Sequence, residues 1–199
     1  MVSVARRSIH WIPGLWKDLW KAFQCTESEG NALVAAFEDQ VSREFGVRHA
    51  IASGSGRLGL RLALSALGVG KGTGVILPAY TDQSVPQTIR ALGAEPLYVD
   101  VDPKTHNINP AQLTASLAKR AQAIIPTHLF GAPADMKAIL SFARRHKLRV
   151  VEDCAHAIHS FWGTQRCGTL GDAALLSFVV TKAVNAFGGG IMLTNNPEL

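Results

Sequence analysis

The sequence has little of what would commit it to a membrane, a disulfide framework or a nucleic acid. Three cysteines, Cys25, Cys154 and Cys167, are too few and too irregularly spaced for a disulfide scaffold or a paired C-x-x-C metal site. No stretch comes near the roughly eighteen uninterrupted apolar residues of a membrane span. The N-terminus lacks the apolar run and small-residue cleavage site of a signal peptide. These absences set the expectation of a cytoplasmic protein with reduced thiols and no membrane span. Lysine and arginine outnumber the acids, 20 against 15. Apart from short clusters such as Arg144 to Lys147 the basic residues are scattered, and no reader motif accompanies them, so no nucleic-acid partner is expected. An anionic small molecule suits the same balance.

What is present suffices for a sizeable core, with 47% of the 199 residues apolar. Ile12, Leu15, Trp16, Leu19, Trp20 and Phe23 recur at helical spacing, with Lys17, Asp18 and Lys21 on the other side. Arg6 and Arg7 upstream would suit an interfacial membrane helix. The mixed charge of the polar face favours docking on the body or on a partner subunit. From residue 31 the pattern alternates. Helices are expected near 32–45, 57–67, 83–92, 110–119 and 134–146, and strands at 74–77, 96–99, 122–126, 148–152, 174–178 and 190–194. The alternation predicts an α/β fold in three α/β/α layers around a mostly parallel sheet. Ligands of such sheets sit at the carboxyl ends of the strands.

In "SGSGRLG", Gly54, Gly56 and Gly59 match the G-x-G-x-x-G of a dinucleotide turn. The following strand, however, ends in Pro78 and Ala79 rather than in an acid able to hold a ribose. The glycines better suit the close approach of backbone to one phosphate monoester. Two other strands end in chemistry: "LRVVED" carries Glu152 and Asp153, and "SFVVTK" carries Ser177 and Lys182. Pyridoxal phosphate needs a lysine to hold its aldehyde, an acid to keep its ring nitrogen protonated and a cradle for its phosphate. Lys182, Asp153 and the Gly54–Ser55 turn at a helix N-terminus are the candidates, with Ser177 adding a hydroxyl. The C-x-H-x-x-H of Cys154, His156 and His159 matches no familiar zinc spacing, and no metal site is expected. His128 and Cys167 are expected to pack or bond locally.

The segments "SGSGRLGLRLAL", "VILPAYT", "GAEPLYVDVDP", "IIPTHLFGAPADM", "VVEDCAHA", "GTLGDAALLSF" and "TKAVNAFGGG" together resemble the DegT/DnrJ/EryC1/StrS family of sugar aminotransferases, in the family's order and spacing, from about Gly30 to the last residue. The resemblance implies the large domain of a pyridoxal-phosphate enzyme of the aspartate-aminotransferase type, fold type I. It makes Lys182 the Schiff-base lysine and Asp153 the partner of the pyridinium nitrogen. Ala155 would pack on one ring face, His156 would bond the ring hydroxyl, and Ser55 and Ser177 would bind the phosphate. The implied reaction transfers an amino group from an amino acid, usually L-glutamate, to a keto sugar linked to a nucleotide, in a homodimer. Lysine at 182, where the family's dehydratase branch has histidine, favours transamination. Three residues depart from the family pattern: Asp82 stands where an aromatic residue usually covers the other ring face, Gly188 replaces the glutamate of G-E-G-G, and Arg57 replaces a small residue beside the phosphate loop. Tyr80 is the available substitute for the missing aromatic.

Two further readings stand behind transamination: a non-catalytic binding or regulatory protein that keeps the fold, and a dinucleotide-dependent oxidoreductase. The organisation expected is an N-terminal arm with an amphipathic helix over residues 1–29 and a cofactor-binding large domain over 30–199. A smaller C-terminal domain is expected to follow in a longer chain, so that these residues alone would lack turnover.

Overall fold

The computed structural model describes residues 13–184 and 186–199. Two helices lead the chain, α1 (Leu15–Gln24) and α2 (Glu27–Phe45). Thr26 and Glu29 start α2 with a reciprocal cap, Glu29 N–H donating to Thr26 Oγ1 and Thr26 N–H to Glu29 Oε2. Trp20 and Phe23 of α1 stay 66% and 87% exposed, so among the described residues these two are not covered by the body, and docking on a partner subunit is the part of the expectation left to them. Arg6, Arg7 and Ile12, which belong to the same expectation, lie outside the described residues.

The body alternates strand and helix: β1 (His49–Ser53), α3 (Gly56–Ala66), β2 (Gly74–Pro78), α4 (Ser84–Ala91), β3 (Glu95–Val99), α5 (Ala115–Ala118), β4 (Ala121–Ile124), α6 (Met136–His146) and β5 (Arg149–Asp153). A short hairpin, β6 (Phe161–Trp162) and β7 (Gln165–Arg166), precedes β8 (Ala173–Ser177) and β9 (Gly190–Thr194). Seven strands form one sheet in the order β1-β9-β8-β5-β4-β2-β3. Four neighbouring pairs are parallel, from β3 across to β8, while β9 runs antiparallel to both β8 and β1. The sheet is thus mostly parallel, as the alternation predicts. The hairpin and β1 carry too few apolar residues in period to be placed as strands from sequence. The helix expected over 110–119 is broken, because Leu113 is extended and Thr114 caps a new turn with its hydroxyl on Leu117 N–H.

Strand alternation assigns the two faces. On one, Val75, Leu77, Val151, Ala173, Leu175 and Met192 pack under Leu60 and Leu64 of α3 and Val85 and Ile89 of α4. On the other, Ile76, Leu97, Ile124 and Val150 pack against Met136, Ile139 and Ala143 of α6. Ala174, Leu176, Ile191 and Leu193 meet Phe45 at the end of α2 together with Cys154 and Cys167. By the same alternation Asp153 and Ser177 share the α3 face, whereas Glu152 belongs to the α6 face.

Candidate active site

Where the strands end on the α3 face, a cavity of about 260 Å³ opens. It is lined by Ser55, Gly56 and Arg57 at the start of α3, by Asp82, Ser84 and Val85 leading into α4, by Asp153 and Ala155 after β5, and by Ser177, Thr181 and Lys182 after β8. Five of the residues expected from sequence, Ser55, Asp153, Ala155, Ser177 and Lys182, therefore meet in one space. Gly54 and His156 do not line it. Gly54 is exposed beside it. His156 stacks on Phe130 with ring centroids 5.8 Å apart, close enough to Lys182 and Asp153 for each to act on its charge.

The start of α3 is built to approach another backbone closely. A Cβ on Gly190 would fall 2.4 Å from Gly56 N, and one on Gly56 would fall 3.1 Å from Ser177 Cβ. Glycine at 190 is what lets β9 lie this tightly against the turn before α3, and glycine at 56 leaves Ser177 its place without a shift. Ser55 caps α3, its Oγ accepting the Leu58 N–H at 3.2 Å, which leaves the hydroxyl proton available to a ligand. First-turn amides without intrahelical partners then make the spot suited to an anion.

Asp153 is buried, and burial pushes its carboxyl above the ordinary range; the Ala155 N–H, donated to Oδ1 at 3.0 Å, and the charge of Lys182 act the other way. Lys182 is half-buried, and desolvation pulls its amine below the usual lysine range against the opposing pull of Asp153 and Asp82. Such an amine sheds its proton more readily than a surface lysine. Asp82 is held low chiefly by its hydrogen bonds with Ser84, whose backbone N–H it accepts at 2.8 Å, with Lys182 and Arg57 adding to the effect.

Behind the cavity, Glu152 is fully buried and engaged on both oxygens. Oε1 accepts Leu170 N–H at 2.7 Å and Gly171 N–H at 2.8 Å, and Oε2 accepts Gly168 N–H and His128 Nε2–H, both at 3.0 Å. Burial works against a second proton on His128, but Cys167 and then the Glu152 carboxylate would draw one on, raising it to about 9. Ala134 N–H, however, donates to His128 Nδ1 at 3.0 Å and occupies the lone pair that this proton needs, so the ring is the neutral Nε2–H tautomer. His128 thus bonds locally, as expected from sequence. His128, Glu152 and Cys154 bring possible ligand atoms within 4.8 Å of one another. The carboxylate and both ring nitrogens are already committed to hydrogen bonds, and burial pushes the Cys154 thiol well above its ordinary range. His159 turns away to Arg166, at 3.1 Å, so Cys154, His156 and His159 form no common site.

The sequence reading did not find Thr181, Ser84 and Val85 as cavity residues, or Glu152 as the anchor of the turn at 168–171. Adjacency to Lys182 and Asp82 was the available signal for the first two. Tyr80 does not line the cavity; its ring meets His106 and Phe130 instead.

The fold is that of the pyridoxal-phosphate-dependent aminotransferases. The profile of the DegT/DnrJ/EryC1/StrS aminotransferase family matches residues 22–199, and the chain belongs to that family, which depends on pyridoxal phosphate. It is 42% identical over 167 residues to a pleiotropic regulatory protein of Geobacillus stearothermophilus, covering 83% of this chain and 45% of that protein. It is 39% identical over 189 residues to a UDP-N-acetyl-3-dehydro-alpha-D-glucosamine 3-aminotransferase of Acidithiobacillus ferrooxidans, covering 94% and 50%. The crystal structure of DesI in the presence of its TDP-sugar product aligns with a TM-score of 0.86 at 33% identity, over 98% of this chain and 50% of that one. NtdA from Bacillus subtilis, with bound cofactor PMP, aligns with a TM-score of 0.76 at 32% identity, over 83% and 37%. The chain spans about half the length of the curated relatives it matches. Among the described residues no helix is long and apolar enough to cross a membrane.

The cofactor fits the residues present. An anion cradle that a Cβ would fill, a buried carboxylate and a desolvated amine face one cavity, which is the donor set that a phosphate, a pyridinium nitrogen and an aldehyde require.

Proposed function

We propose that this chain is the cofactor-binding part of an aminotransferase that moves an amino group from an amino acid, L-glutamate by family resemblance, to a keto sugar linked to a nucleotide, acting as a homodimer in the cytoplasm. The observation that carries the reading is the meeting of Ser55, Ser177, Asp153 and Lys182 in one cavity. Bound there, pyridoxal phosphate supplies an aldehyde that accepts the amino group and a ring that takes up electrons. Ser55, Gly54 and Ser177 hold the phosphate at the start of α3. Asp153 donates no proton; its carboxylate accepts the ring N–H and keeps that nitrogen charged. Lys182 would hold the aldehyde and would move a proton at the substrate carbon. By the family resemblance Ala155 would pack against a ring face, and His156, which lies beside the cavity rather than in its wall, would bond the ring hydroxyl.

Incubation with pyridoxal phosphate, borohydride reduction and peptide mapping tests this assignment. The pyridoxyl group is expected on Lys182; label on another lysine, or on none, overturns it. A second reading, a protein that keeps the site without turnover, draws support from the similarity to a regulatory protein and from Asp82 in the cavity wall. It predicts the same label with no amino group taken from L-glutamate.

A further inference from the structure

The departure at residue 82 changes the electrostatics of the cavity. Asp82 and Asp153 reach it from different elements, one from the loop between β2 and α4 and the other from the end of β5, and Lys182 lies between them in charge. Arg57, on the first turn of α3, lines the same cavity and also acts on Asp82. The cavity wall therefore carries two cations and two carboxylates: Arg57, Lys182, Asp82 and Asp153. Asp82 is fixed in this wall by local geometry, because its Oδ1 accepts the Ser84 N–H at 2.8 Å as α4 begins. A carboxylate pinned to the backbone in this way loses little further freedom when it pairs with an amine.

We propose that Asp82 is a positioning residue for Lys182, its carboxylate attracting the Lys182 ammonium across the cavity from the α4 side while Asp153 acts from the β5 side, until the lysine engages a carbonyl group. The inference rests on the reading of Lys182 as the group that holds the cofactor. An aromatic residue at this position would offer a flat apolar face and no charge. Asp82 instead offsets part of the desolvation of Lys182, so the amine stays protonated to a higher pH than Asp153 alone would keep it. The other charged groups that face the lysine, Asp153 and His156, are unchanged by substitutions at 82, and Arg57 faces Asp82 itself.

Competitive acetylation with acetic anhydride across a pH series, read by mass spectrometry of the Lys182 peptide, measures the midpoint of this amine in the unliganded protein. Asp82→Asn and Asp82→Ser both keep an acceptor for the Ser84 N–H while removing the charge. Each is expected to lower the Lys182 midpoint by about one pH unit, a roughly tenfold gain in reactivity below the midpoint. Asp82→Glu is expected to restore most of it, and the exposed Lys137 serves as an internal reference that does not move. A Lys182 midpoint equal to wild type in both neutral variants overturns the proposal, as does an upward shift. Failure of the underlying reading shows separately, as absence of a borohydride-fixed pyridoxyl group on Lys182 of the wild-type protein, whatever the midpoints.

Discussion

Glu152 and Asp153 are consecutive residues of β5 whose carboxylates leave the sheet on opposite faces. Glu152 accepts three backbone N–H groups and the His128 ring N–H on the α6 face. Asp153 faces the cavity on the α3 side, where its Oδ1 accepts the Ala155 N–H. Its backbone is also held: Asp153 N–H donates to Pro126 O at 2.8 Å and His128 N–H to Asp153 O at 3.0 Å. One acid thus anchors the strand end, and the other faces the space where the chemistry is proposed.

Replacing the anchor tests this division. Glu152→Ala leaves the buried Gly168 amide and His128 ring N–H, and the part-buried Leu170 and Gly171 amides, without their acceptor. Unsatisfied buried donors cost about 1–3 kcal/mol each, so a loss of at least about 2 kcal/mol is expected in urea unfolding. A loss under about 1 kcal/mol would show that the turn at 168–171 does not depend on this carboxylate.

Asp153→Asn retains an oxygen for the Ala155 N–H, so the fold is expected to survive. Loss of a charge-assisted hydrogen bond worth about 1.5–3 kcal/mol should weaken pyridoxal phosphate binding roughly 10- to 100-fold by absorbance titration, and slow the single-turnover reaction with L-glutamate at least as much. An unchanged Kd and an unchanged rate would remove Asp153 from the site.

The same substitution is expected to stabilise the unliganded protein. Burial raises the folded-state carboxyl above its ordinary value of 3.8, so the folded state binds more protons than the unfolded chain, and stability is lost as pH rises through the raised value. At neutral pH the urea midpoint of Asp153→Asn should exceed that of wild type, and the gap should close in acid below about pH 4. A wild type more stable than the variant at neutral pH contradicts the burial argument.

Lys182 gives the mirror case. Desolvation lowers its folded-state value below 10.5, so between the two values the unfolded chain binds more protons and stability rises with pH. Lys182→Met should therefore unfold at higher urea than wild type at neutral pH, with the difference shrinking as pH climbs toward 10.5. A difference that is constant with pH would assign the effect to packing alone.

Gly190→Ala probes the cradle. The added methyl would sit 2.4 Å from Gly56 N and 2.6 Å from Gly56 Cα, backbone atoms that cannot swing aside. Overpacking of this kind costs about 1–3 kcal/mol, and the displaced start of α3 should weaken binding of pyridoxal phosphate. Cofactor affinity equal to wild type would mean that the close approach of β9 to α3 does not shape the phosphate site.

Much of this was legible without coordinates because it depends on neighbours along the chain. Apolar spacing of three or four marked α2, α3, α4 and α6, and short apolar runs marked β2, β3, β4, β5, β8 and β9, since each element must present a continuous face to the core. The positions of Asp153, Ser177 and Lys182 after strands pointed to one cleft for the same reason. Other features are long-range and left no local trace. The antiparallel course of β9, the partners of the buried Glu152, the turning of Tyr80 away from the cavity and the exposure of α1 follow from how distant segments pack. Asp82 stood out in the sequence only as a departure. The tertiary structure alone placed it in the cavity with Arg57 and Lys182, because a charge acts across space on groups that the chain order separates by a hundred residues.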